Sequence, residues 1–213
     1  MELSAAIRSR RMIRHFTSEP VDDGARERII AAGLRAPSAG FSQGCELLVL
    51  ETEQDRVRLW AAHQPTERAS WSAEVAAAVR RAPLLVMVLT SRERYLDRYA
   101  EPDKGWIDRD EARWPVPYWF VDAGCVVMLL LLAAVDEGLG ALLFGTGPGD
   151  AERLRAAFGI PDGYDIVGTV AIGHPDPTAA RRNLTGRRRP SREVVHRGRF
   201  AGSGPDVTHP RPS

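Results

Sequence analysis

Two stretches decide how this chain reads: Arg10-Arg11-Met12-Ile13-Arg14-His15-Phe16, and then Ala36-Pro37-Ser38-Ala39-Gly40-Phe41-Ser42-Gln43. Residues 3–11 read as a short helix carrying the basic cluster. The i,i+4 spacing of Arg10 and Arg14 projects both from one helical face. Two guanidinium forks on one face match the oxygens of a phosphate monoester, although a solvated basic face has the same spacing. The second stretch is a short turn whose backbone N–H groups and Ser38 hydroxyl suit the heteroatoms of a flat ring. By itself it is equally a helix stop. The pair suggests a phosphorylated aromatic cofactor.

Bulk properties narrow the classes. The 213 residues carry a formal net charge of +1, with 44% hydrophobic and 27% charged residues, as in an ordinary globular protein. A near-neutral chain has no global field for nucleic acid or anionic lipid. Cys45 and Cys125 have no metal-type neighbours, and Cys125 in its apolar run reads as a buried core thiol. The scattered histidines have no metal-ligand spacing, no serine or cysteine sits in a nucleophile elbow, and no metal is expected. The first residues lack the regions of a secretory signal, and the apolar run at 123–135 is short for a bilayer, so a reducing cytoplasm is the expected compartment.

Along the chain, Asp22 or Asp23 predicts the cap of a helix to about residue 34, with Ile29, Ile30, Gly33 and Leu34 on one face. A strand is expected at 46–51, helices at 54–63 and 72–80, and a buried strand at 84–89. Residues 92–117 are charged, rich in Trp and Tyr, and without a clean period, and they read as an irregular lid. A long apolar helix follows, then a strand at 141–144, a glycine loop, a helix begun by Asp150, and a last strand at 166–172. The predicted organisation is one domain over 1–200 and a tail at 201–213 that cannot build a core. Gly186-Arg187-Arg188-Arg189-Pro190 is a second basic cluster, and in a near-neutral chain a phosphate site suits it better than nucleic acid. Gly138-x-Gly140 and Gly145-x-Gly147 do not fit G-x-G-x-x-G, which removes a dinucleotide-binding first strand.

In this order the features resemble the FMN-dependent nitroreductase family. That family shows an early R-R-S-x-R-x-F, a P-V, A-P-S-x-x-N-x-Q-P-W, a long apolar helix, G-L-G, V-G-x-x-x-P and a late K-x-R-x-P. The counterparts here are 10–16, Pro20-Val21, 36–43, Gly138-Leu139-Gly140, Ile172-Gly173-His174-Pro175 and Arg187-Arg188-Arg189-Pro190. The resemblance implies an α+β fold with a mixed, mainly antiparallel sheet flanked by helices, a dimer-forming central helix and a swapped C-terminal extension. It implies FMN at the interface of a homodimer, with NADH or NADPH as transient donor, a small organic acceptor, and no nucleic acid or membrane partner. Arg10, Arg11, Arg14 and Arg188 would meet the cofactor from one subunit, Arg10 and Arg188 at the phosphate and Arg14 at the pyrimidine edge of the ring, and Pro37, Ser38, Ala39 and Gly40 from the other, with Met12, Gln43 and Arg187 as further cofactor contacts. Leu143, Phe144 and Gly145 would lie along it, with the Gly145 N–H near flavin N5, where hydride arrives. Phe41, Trp106, Trp114, Tyr118 and Trp119 are the candidate substrate contacts. Met12 stands for the family's serine, Phe41 for its asparagine and Gly44-Cys45 for its Pro-Trp. A non-catalytic FMN-storage protein and an enzyme of the same fold with other flavin chemistry are the alternatives.

Overall fold

Leu84 to Leu89 is apolar at every position because both sides of that strand are covered. The computed structural model describes residues 1–63, 71–147, 149–180 and 185–200. Its centre is an antiparallel sheet of four strands, β1 (Cys45–Leu50), β2 (Leu84–Thr90), β3 (Gly140–Phe144) and β4 (Asp165–Gly173), in the order β1-β2-β4-β3. Successive side chains of a strand point to opposite faces. Leu85, Met87, Leu142 and Phe144 therefore face one core, and Val86, Val88, Ala141 and Val170 face the other.

Helices close both faces. On the first lie α3 (Glu53–Ala62), α4 (Ala73–Arg80) and α7 (Asp150–Phe158), contributing Leu59, Val79 and Leu154. On the second lie α2 (Asp23–Gly33), capped by the Asp22 carboxylate, and α6 (Tyr118–Asp136). Two more helices, α1 (Leu3–Ser9) and α5 (Arg92–Ala100), sit before and between them. The 19-residue α6 is long and apolar enough to cross a membrane, but here it packs Ala123, Val126, Val127, Leu130 and Leu131 into the second core. Its outward side keeps Tyr118, Val121 and Met128 exposed.

The structure corrects several expectations. Helix α1 ends at Ser9, because Arg10 turns to φ −53°, ψ 126° and the chain leaves along the free edge of β3. Met12 forms a parallel bridge to Ala141, the one parallel pairing among the described residues, and the Ile13 N–H donates to the Ala141 carbonyl. Edge pairing and the packing of Ile13 against Gly140 override helix propensity. Leu34 caps α2 but lies outside the core, 64% exposed. Cys125 is half-buried rather than fully buried. Residues 92–117 are not irregular throughout, since α5 occupies their first third and buries Tyr95 and Leu96.

The described chain divides at Pro177 into two units, where the sequence predicts one domain to residue 200. In the second unit, α8 (Ser191–Val194) follows a turn at Thr185–Arg187, and Arg189 pairs with Glu193. The expected tail at 201–213 lies outside the described residues.

Candidate functional site

The basic stretch is an edge segment rather than a helical face. Alternation along an extended chain places Ile13 inward, against Gly140, and leaves Met12 and Arg14 on the other side. Among the described residues, none of these arginines pairs with a carboxylate. Arg26, Arg28, Arg92, Arg98, Arg109 and Arg113 all reach carboxylates. Among the described residues, Arg11 donates only to the carbonyls of Arg8 and Arg10, and Arg14 only to that of Met12. Arg10 Nη1 is buried with no partner among the described residues. No acid occurs between Glu2 and Glu19 to provide one. A buried, unpaired guanidinium nitrogen is costly, and an anion with oxygens to share removes the cost. This donor set fits a phosphate.

The same edge leads to the glycine loop. Ala141, which bridges Met12, lies four residues before Gly145, on the order of 13 Å along a strand. Gly145 is exposed, and a Cβ built there would meet nothing within 4 Å, so its surroundings are open. Leu143 and Phe144 divide between the two faces. Leu143 is half-buried, whereas the Phe144 ring turns inward and stacks on Trp60 at 5.3 Å. Its side chain is thus unavailable to a ligand, and only its backbone lies along the edge. Asp150 does not form the expected helix cap. Gly149 occupies that position, and the fully buried Asp150 carboxylate accepts from the Gly147 N–H at 2.8 Å.

The turn at 37–43 sits elsewhere. It enters β1, at the same end of the sheet as Gly145 but at the opposite edge, with β2 and β4 between: about 14 Å across the strands. The turn is finished from within. The Ala39 N–H donates to Asp122 Oδ2 at 2.8 Å, the Phe41 N–H to the Ser38 carbonyl, the Ser42 N–H to the Ala39 carbonyl and the Gln43 N–H to Ser38 Oγ. Arg98 Nε holds the Gly40 carbonyl at 2.8 Å. Of the N–H groups of Ser38, Ala39 and Gly40 that the sequence offers to a ring, that of Ala39 is therefore already engaged, and the Ser38 hydroxyl oxygen accepts from Gln43. Gly40, Phe41 and Gln43 take φ of 62°, 58° and 50°, the left-handed region that costs a side-chain-bearing residue about 1–2 kcal/mol. Phe41 is held in this conformation with its ring 74% exposed.

The aromatic group is a packed network. Trp114 lies 4.5 Å from Tyr99, 5.6 Å from Trp106, 6.0 Å from Tyr95 and 6.1 Å from Trp119, ring centre to ring centre. Trp119 is buried and Trp106 and Trp114 are half-buried in each other, so of the expected substrate contacts only Phe41 and Tyr118 present open faces. Tyr95 and Tyr99, one turn apart on α5, press on two glycines. A Cβ at Gly44 would stand 2.4 Å from Tyr95 and one at Gly40 2.6 Å from Tyr99. That close approach accounts for glycine where the family has the proline of Pro-Trp.

Asp122 joins these parts, and sequence reasoning missed it. The same Oδ2 that accepts from Ala39 accepts from the Tyr95 hydroxyl at 2.8 Å, and burial with this bond pushes the phenol far above its ordinary range. The available signal was a lone acid at the start of a helix otherwise apolar to Val135. Arg187 and Arg188 belong to the second unit, where both are exposed. Two shallow clefts of about 300 Å³ among the described residues, one beside Arg26 and Arg56 and one beside His174, include none of the expected site residues.

Comparison with known proteins converges on one family. An NADH dehydrogenase of Thermus thermophilus is 30% identical, over 82% of this chain and 87% of its own length. An NADPH-flavin oxidoreductase of Vibrio harveyi is 26% identical over 91% of this chain and 72% of its own. A Desulfovibrio desulfuricans structure, assigned as a nitroreductase in complex with FMN, matches at a TM-score of 0.64 and 26% identity, covering 94% of this chain and 99% of that one. The nitroreductase family model matches residues 7–174, from α1 past the end of β4, taking in the unpaired arginines, the turn and the glycine loop, and the chain belongs to that family.

Proposed function

We propose that the chain is an FMN-dependent oxidoreductase that draws hydride from NADH or NADPH and reduces an organic acceptor such as a nitroaromatic or a quinone in a ping-pong cycle. The observation that carries this reading is the row of arginines without carboxylate partners among the described residues, with Arg10 Nη1 buried and unpaired, on the segment that runs beside β3, the strand that leads into Gly145. When bound, FMN supplies the two-electron chemistry, exchanging hydride at N5.

The protein's residues bind, orient and shield. Arg10, with Arg11 beside it, would neutralise the phosphate and fix the depth of the cofactor along β3, and Arg14 would meet the pyrimidine edge of the ring. Arg187 and Arg188 enter this reading through the family pattern alone. The exposed Gly145 backbone, with no side chain in the way, would face the reactive edge of the ring and offer an N–H. The turn at 37–43 would press on a flavin from the side, with Phe41 and Tyr118 excluding water and meeting a flat acceptor.

We infer that this assembly needs two copies of the chain. The turn and the arginine edge lie at opposite edges of one sheet, so a single ring that touches both draws them from different subunits. The outward apolar residues Tyr118, Val121 and Met128 of α6, with Leu3 and Ile7 of α1, supply surface for such a pairing. A cytoplasmic location fits the half-buried free cysteines and a nicotinamide donor.

The test is spectroscopic. Purified protein saturated with FMN should show bound-flavin absorbance, and anaerobic NADH or NADPH should bleach it within the mixing experiment. A yellow protein that neither donor bleaches is a storage protein. Absence of flavin bands after saturation overturns the cofactor itself.

A further inference from the structure

One side chain grips the glycine loop from both ends. His63 follows α3 directly, and its ring lies against Phe144, centroids 5.4 Å apart, immediately before Gly145. Its Nδ1 stands 3.0 Å from Asp150 Oδ2, beyond the loop. A carboxylate only accepts, so Nδ1 carries the proton and donates. The same Oδ2 takes the Gly147 N–H at 2.8 Å, inside the loop, while Oδ1 takes Arg153, whose Nε is in turn held at 3.0 Å by the Ala62 carbonyl beside His63. Phe144, Gly147 and Asp150 are thus tied to a single point at the end of α3. Trp60 and Trp71 pack on Phe144 and leave its ring little room to turn.

We propose that His63 is a positioning residue for the proposed hydride transfer: through Phe144 on one side and Asp150 on the other, it sets where the Gly145–Gly147 backbone meets the cofactor. The inference rests on the functional reading above for its consequence, but the grip itself is a property of the protein without cofactor. Burial keeps the His63 imidazole below its ordinary range, opposed by Asp150 and reinforced by Arg80 and Arg153. The donating ring is therefore neutral at pH 7, and the bond to Asp150 does not depend on protonation in that range.

Two substitutions separate the halves of the grip. His63→Asn keeps a donor near the position of Nδ1 and loses the ring, whereas His63→Phe keeps the ring against Phe144 and loses the donor. In the cofactor-free protein, amide exchange at Gly147 should quicken about tenfold in His63→Phe, the worth of one strong hydrogen bond, and less in His63→Asn. With FMN bound, both variants should reduce more slowly with the nicotinamide donor while their FMN affinity stays within about twofold, since neither touches the arginine edge. A melting temperature close to wild type in either variant makes these readings independent of folding. Unchanged Gly147 exchange and unchanged flavin reduction in His63→Phe would overturn the proposal. Quickened exchange in a protein that takes up no FMN would leave the grip standing and remove the functional reading instead.

Discussion

The turn at 37–43 and the segment at 10–14 stand at opposite edges of one sheet, and they are finished to different degrees. In the turn, four N–H groups and three carbonyls have partners inside the chain, and two tyrosines close over two glycines. In the basic segment, three arginines have only backbone carbonyls or nothing as partners among the described residues. The first is held by folding and offers a rigid shape. The second carries donors that folding leaves unused. Substitutions in the turn should accordingly cost stability whether or not a ligand is present, and substitutions at the edge should cost ligand affinity and leave stability alone.

The largest effect is expected at Asp122. Asp122→Leu strands the Ala39 N–H and the Tyr95 hydroxyl in a buried place and should lower stability by about 3 kcal/mol in denaturant titration. Because both donors share Oδ2, Asp122→Asn supplies the same acceptor and should lose far less. Equal losses from the two would show that the charge, not the acceptor, holds the turn. Next comes Gly44→Ala, which forces a methyl against the Tyr95 ring and should cost about 2 kcal/mol by the same measurement.

At the other edge, Arg10→Ala should weaken FMN binding roughly 30-fold, the worth of a charge-assisted hydrogen bond, with an unchanged melting temperature of the cofactor-free protein. Fluorescence titration reads the first and thermal unfolding the second. A drop in stability without a drop in affinity would erase the contrast between the two regions. The smallest effect concerns pH. The Tyr95 phenol is held above its unfolded value of about 10, so its stabilising share is complete below that pH and is lost as pH rises beyond it. Tyr95→Phe should therefore show a shallower loss of stability between pH ~10 and ~11 than wild type.

Much of the fold was legible because it rests on local, periodic signals. The unbroken apolar run at 84–89 announces a strand covered on both faces, and Asp22 and Ser72 mark their helix starts by accepting a nearby N–H. Helix α5 was hidden because its apolar stripe, Tyr95, Leu96 and Tyr99, is little more than one turn long and sits among charged residues. The arginines were found for a reason that fails in part. Their i,i+4 spacing suits a helix, yet an even spacing along an extended segment also keeps the two residues on one side. His63 and Asp122 could not be found as site residues, since their partners lie 87 and 83 positions away in the chain (Asp150 and Ala39).

By itself, then, the sequence determined the order of the four strands and of every long helix but α5, and the presence of an acid-free basic stretch and a small-residue turn, while the α+β class came through the family resemblance. That order and both stretches are written in neighbouring residues, as periodicity, capping and composition. Only the tertiary structure decided that the two stretches occupy opposite edges of the sheet, that one is satisfied and the other is not, and that a buried carboxylate and a histidine hold the loops in place. Those facts depend on which distant groups come within hydrogen-bond reach, and that is settled when the sheet pairs and both of its faces are packed.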